Sequence, residues 1–339
     1  MKFSKSEFLK SVLNDKKRKS IPIMTSPGAE LIGAKPRDVF QNGELQFKCI
    51  KALAEAVPAD VHVTFMDLSI EAEAFGSQIT FSEYENPTVS QALASDEAAI
   101  AALAVPAVGT KRTSEVLKCA RLCAEQLERP TLGGVIGPYS LAGRIADMTE
   151  MMMLAAAEPE TAHALLKKTS AFLLDYLKAI KATGLAGVMI AEPAAGLLSP
   201  DMCQEFAADY LKGIIAEVRD DSFMVVLHNC GKTEKQVGAL LSTGADALHV
   251  GNAVDILSIL SQVPADFPVM GNLDPVGVFK TLPSEAVYEK TTELLNKVSA
   301  CRNYVLSSGC DLPPAVPMNN VRAFFQALND YNKQYGEAK

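Results

Sequence analysis

Eight short apolar runs punctuate the chain, at residues 21–24, 59–65, 131–137, 187–192, 223–227, 246–250, 268–271 and 303–306, and segments of helical periodicity fill most of the intervals. Runs of this length, bounded by Gly or Pro, read as strands buried on both faces. Strands that alternate with helices build parallel sheets. Right-handed crossovers put the helices outside, so eight such units predict an α/β fold of the closed (β/α)8 TIM barrel type. In this reading residues 1–339 form a single domain with a short N-terminal helical extension over residues 4–13. An open doubly wound sheet is the other arrangement available, but no Gly-x-Gly-x-x-Gly follows an early run.

The formal net charge is -8, and no Lys/Arg stripe interleaves with aromatic residues, which argues against nucleic acid or an anionic membrane as partner. Residues 1–10 lack the apolar core and cleavage site of a secretory signal. The longest apolar run, 148–157, is interrupted by Thr149 and Glu150 and cannot span a bilayer. The expectation is a cytoplasmic protein whose seven cysteines are reduced. Cys49, Cys119, Cys123, Cys203 and Cys301 lie in helical or apolar surroundings and read as small hydrophobes. Cys230 and Cys310 differ, because each stands beside a glycine at the end of an apolar run.

In this barrel type the chemistry sits at the C-terminal ends of the strands, where the chain places Asp67, Glu192, His228, Cys230, Asn252, Asp274 and Cys310. Residues two apart on an extended segment face the same way, so His228 and Cys230 leave their strand as a pair. An imidazole and a thiol are half of a zinc site, and Cys310, eighty residues on, is the candidate third ligand. Three isolated residues of these types can also coincide by chance, and the residues alone leave that open. Glu192 is expected either to accept a proton or hydrogen bond near the site or to serve structure. Asp67 is expected to orient a ligand or substrate, and Asp274 to cap a turn. His62 and His249 alternate with apolar neighbours and read as core histidines.

With these residues on a barrel, the chain resembles the uroporphyrinogen decarboxylase superfamily over nearly its whole length. The segments that carry the resemblance are Phe65-Met-Asp67 with Glu71 and Phe75-Gly76, Gly137-Pro-Tyr-Ser-Leu141, Gly196-Leu-Leu-Ser-Pro200, Gly271-Asn-Leu-Asp-Pro275 and Ser308-Gly-Cys-Asp-Leu-Pro313. In the decarboxylases an arginine-rich loop after the first strand holds the substrate carboxylates, and a tyrosine and a histidine complete the site. Here that loop, residues 24–30, has no arginine, Arg144 stands where the tyrosine is expected and Cys310 where the histidine is expected. The chain is more similar to the corrinoid-dependent methyltransferase branch, which includes methylcobamide:coenzyme M methyltransferases. That resemblance implies zinc on His228, Cys230 and Cys310, a methylcobamide (corrinoid) as methyl donor, and a thiol as acceptor. No Asp-x-His-x-x-Gly signature is present, which implies that the corrinoid arrives free or on a separate corrinoid protein, the expected partner. Two alternatives remain: transfer in the reverse direction, from an O- or N-methylated substrate to the corrinoid protein, and a metal-free barrel that binds a small anion or tetrapyrrole.

Overall fold

The computed structural model describes residues 3–83 and 85–336. Its nine strands are β1 (His62–Val63), β2 (Ile79–Thr80), β3 (Thr88–Val89), β4 (Thr131–Ile136), β5 (Gly187–Ala191), β6 (Met224–Asn229), β7 (Ala247–Val250), β8 (Val269–Leu273) and β9 (Tyr304–Ser308). Seven form one parallel sheet in the order β1-β4-β5-β6-β7-β8-β9, and β2 and β3 pair as a separate antiparallel hairpin.

Alternation along the strands sorts side chains between two environments. Met189, Met224, Val226, Ala247, Met270 and Val305 share one buried cluster on the inner face of the sheet. Their neighbours Val188, Val225, Leu227 and Leu248 point the other way, into the cluster formed with the helices. Both faces are therefore covered, which explains why the strands are almost continuously apolar. Fully burying such a side chain contributes on the order of 1.5–3 kcal/mol. Register is strongly specified as a result, because a one-residue slip of β6 would turn His228 from the inner face into the helix layer.

The expected first strand, residues 21–24, is not a member of the ladder, so the sheet has seven strands rather than eight. Instead the segment makes one parallel bridge, Ser20 to Leu306. Ile21 N donates to Leu306 O at 3.0 Å, and on the other side Asp60 N donates to Ser20 O at 3.1 Å, just ahead of β1. The physical reason is Pro22, which has no N–H to give. Serine hydroxyls take over: Ser307 Oγ donates to Ile21 O at 2.7 Å and Ser308 Oγ to Ile23 O at 3.2 Å.

Around this frame the helices cover the outer face of the sheet. The segment 141–158 is two helices, Pro138–Ala146 and Met148–Ala157, broken at Asp147, whose φ of 77° interrupts the first and whose carboxylate accepts from Thr149 N to cap the second. The segment after Gly76 carries the β2–β3 hairpin, with Tyr84 outside the described residues. The N-terminal helix Lys5–Asn14 is capped by Ser4 and tied by Lys5 Nζ to Asp246, beside the start of β7. Among the described residues no helix is long and apolar enough to cross a membrane.

Candidate metal centre

β6 delivers His228 at its end, and the chain turns through Cys230 at once. Asn229 makes that turn. Its Oδ1 accepts from Gly231 N at 2.8 Å, and its Nδ2 donates to Glu192 O at 2.6 Å, anchoring the turn to the end of β5. Gly251, after β7, lets the turn lie flat, since a Cβ there would stand 2.6 Å from Cys230 Cα. Cys310 arrives from β9 on a loop held by its neighbour Asp311, whose carboxylate accepts from Thr25 N at 3.0 Å and Thr25 Oγ1 at 2.6 Å. Burial pushes the Asp311 carboxyl up to about 6, against these hydrogen bonds.

These three strand ends bring together one ligand atom each from His228, Cys230 and Cys310, all within 4.8 Å of one another. Cys310 Sγ lies 3.7 Å from His228 Nε2. Thiolate and imidazole ligands at zinc bond lengths around a tetrahedral centre stand roughly 3.5–3.8 Å apart, so this spacing fits the ion. His228 is buried while the two cysteines are half-buried, leaving a side of the cluster accessible. The Cys310 thiol and the His228 ring hold the Cys230 thiol below its ordinary range, against its own burial. Cys310 is pushed the other way, mainly by its bond to Cys230 and by burial. A dication held between them would favour both thiolates.

His249, paired with His228 in register, is buried and is not one of the three ligands. Its Nδ1 lies 2.8 Å from His228 Nδ1 and its Nε2 lies 2.7 Å from Ser307 Oγ. His62 is a buried wall histidine on β1, as its pattern predicts, and burial pushes it down to about 4.

The two expected catalytic carboxylates stand outside the triad. Glu192 is fully buried and faces the start of helix Pro138–Ala146, where its oxygens accept from Tyr139 N at 3.0 Å, Ser140 N at 2.6 Å and Ser140 Oγ. Burial raises it to about 7 in spite of those bonds. A Cβ on Gly137 would meet Glu192 Oε2 at 2.3 Å, so only glycine admits the carboxylate there. Asp67 accepts from Ser69 N at 2.9 Å and Ser69 Oγ at 2.6 Å, and it pairs with Arg112, which also bonds Glu73 at 2.6 Å. Asp274 caps a turn, accepting from Val276 N and Gly277 N. Sequence reasoning missed Arg112, Asn229, Ser307 and Asp311. Of these, Asn229 had a legible signal, an asparagine two residues before a glycine at a strand end.

A groove of about 360 Å³ opens at the same end of the sheet, lined by Leu68, Ser140, Arg144, Pro193, Ala194 and Leu197 among others. Its wall, the turn Pro193–Leu197, backs onto the Cys230 loop. A Cβ on Gly196 would lie 3.3 Å from Gly231 Cα.

Comparison with known proteins supplies the context for this geometry. The family model described as uroporphyrinogen decarboxylase matches residues 5–331. Among curated relatives, a uroporphyrinogen decarboxylase of Legionella pneumophila is 28% identical over 289 residues, covering 81% of this chain and 80% of its own. A methylcobamide:CoM methyltransferase of Methanosarcina acetivorans is 28% identical over 276 residues, covering 80% and 79%. Among solved structures, a methyltransferase from Methanosarcina mazei superposes with a TM-score of 0.87 at 21% identity, covering 97% of this chain and 99% of its own.

Proposed function

The chain belongs to the uroporphyrinogen decarboxylase family, and within it we propose that the protein is a zinc-dependent methyltransferase that moves a methyl group from a methyl-corrinoid to a thiol. The observation that carries the reading is the convergence of His228, Cys230 and Cys310 within 4.8 Å at one end of the sheet. Two thiols and an imidazole suit a borderline-soft ion and serve no purpose in holding a polycarboxylate. The loop that would hold such a substrate, residues 24–30, has no arginine, and its Thr25 is spent on Asp311. The methyltransferase relative from Methanosarcina supports the same branch.

His228 Nε2, Cys230 Sγ and Cys310 Sγ would hold the ion. Bound there, zinc would supply a Lewis-acid position that lets an incoming thiol give up its proton near neutral pH. The protein's residues position the rest. Asn229 and Asp311 fix the two thiol-bearing loops, and the groove beside the Pro193–Leu197 turn gives the substrates their approach. In the transfer a bond forms between the substrate sulfur and the methyl carbon. The cobalt–carbon bond breaks with both electrons left on cobalt(I), and the thiol proton passes to solvent. Glu192 and Asp67 act as positioning residues in this scheme, because their oxygens are committed to helix Pro138–Ala146 and to Arg112. The corrinoid comes on a separate protein. The architecture is one domain, an eight-membered barrel in which residues 20–24 take the eighth place, working in the cytoplasm.

The test is methyl transfer from methylcobalamin to a panel of small thiols by zinc-loaded protein, followed by the loss of methylcobalamin absorbance. Turnover that needs zinc and is lost in Cys310→Ala is expected. No transfer to any thiol, with carbon dioxide released from a porphyrinogen instead, would overturn the reading.

A further inference from the structure

We propose that Ser307 and His249 are positioning residues that force His228 into the tautomer presenting a bare Nε2 to the metal. The proposal rests on the zinc reading for its purpose, but its geometry is independent of any ion. Four groups form a line across the inner face: Ile21 O, Ser307 Oγ, the His249 ring and the His228 ring, with separations of 2.7, 2.7 and 2.8 Å.

The protons can be followed link by link from the carbonyl end. Ile21 O cannot donate, so Ser307 spends its single hydroxyl proton on it. Ser307 Oγ must then accept from His249, which puts the proton of that ring on Nε2. A neutral imidazole carries one proton, so with Nε2 protonated the Nδ1 of His249 is bare. The 2.8 Å contact with His228 Nδ1 therefore needs the proton on His228. That leaves His228 Nε2 with its lone pair directed toward Cys310 Sγ, 3.7 Å away.

A metal-bound histidine commonly has its second nitrogen held by a carboxylate or carbonyl. Here a second histidine does this work, and its own tautomer is dictated by a serine tied to the segment that Pro22 keeps out of the ladder. The chain of bonds thus links the β9 edge of the sheet to the ligand's electronic state. A Ser307→Ala variant would release His249 to either tautomer and leave the His228 tautomer undetermined. A Ser307→Thr variant, which keeps the hydroxyl, would retain it.

With only four histidines in the chain, the tautomers are directly readable by two-bond proton–nitrogen correlation NMR on metal-free protein above pH 8. The expected result is an Nδ1–H tautomer at His228 and an Nε2–H tautomer at His249. An Nε2–H tautomer at His228 would overturn the proposal. The companion measurement is zinc affinity of His249→Phe against wild type. A loss of about 10–100-fold is expected from removing such a partner, and unchanged affinity in folded variant would overturn the positioning role. Failure of the wild type to bind zinc would instead overturn the proposed function, leaving the tautomer result to stand or fall alone.

Discussion

Two polar clusters lie at the C-terminal end of the sheet, and they differ in whether their bonding capacity is spent. Beyond β1, Asp67 is saturated by Ser69 and Arg112, and Arg112 is in turn held by Glu73 and Ser69, with the Phe81 ring 4.8 Å from its guanidinium. Beyond β6 and β9, His228, Cys230 and Cys310 turn toward one another, and among the described residues no carboxylate or backbone carbonyl is hydrogen-bonded to their ligand atoms. Both clusters are built from residue types that can do chemistry. The first holds a loop in place, and the second keeps its lone pairs available. Type and strand-end position do not separate such clusters, whereas the use made of each donor and acceptor does.

The largest effect expected from this contrast is on the saturated side. Asp67→Ala leaves a buried guanidinium short of its partner, which typically costs about 3–5 kcal/mol. Urea unfolding measures that loss, and the fraction that stays folded should still bind metal as wild type does. Lost metal binding with unchanged stability would break the contrast.

A smaller effect, visible only as a pH dependence, sharpens it. Glu71, behind Asp67, is pushed up to about 8 by burial, while its Oε1 accepts from Ile136 N at 3.2 Å. Between its ordinary value near 4.5 and about 8, the folded state keeps a proton that the unfolded chain has released. Stability due to this group is therefore fully present below the lower value and lost as pH rises through the upper one. Glu71→Gln does not titrate, so its stability relative to wild type should climb from pH 5 to pH 8.5 in thermal melts. A difference that stays flat across that range would mean Glu71 is ionised in the fold.

Much of this is legible in the sequence itself. The strands β4 to β7 were visible because they are buried on both faces, and burial on both faces writes an uninterrupted apolar run. The triad was visible for the complementary reason, since a histidine or thiol at the end of such a run, next to glycine, has no packing role to explain it. Residues 21–24 misled because an apolar run does not reveal that Pro22 and two serine hydroxyls will replace ladder bonds. Arg112 left no signal at all. It stands at the end of the loop before helix Thr113–Gln126, and its partner lies 45 positions away. His249 was readable as a buried histidine, but its link to His228 depends on the pairing of β6 with β7, which only the fold supplies.

The central claim is that the unspent cluster is a zinc site, and the most direct test is the metal content of protein purified without added metal, beside His228→Ala and Cys310→Ala. The account predicts about one zinc per chain in the wild type, as a single three-ligand site requires, and its loss from both folded variants. Folded wild-type protein that carries no zinc and takes none up would contradict it.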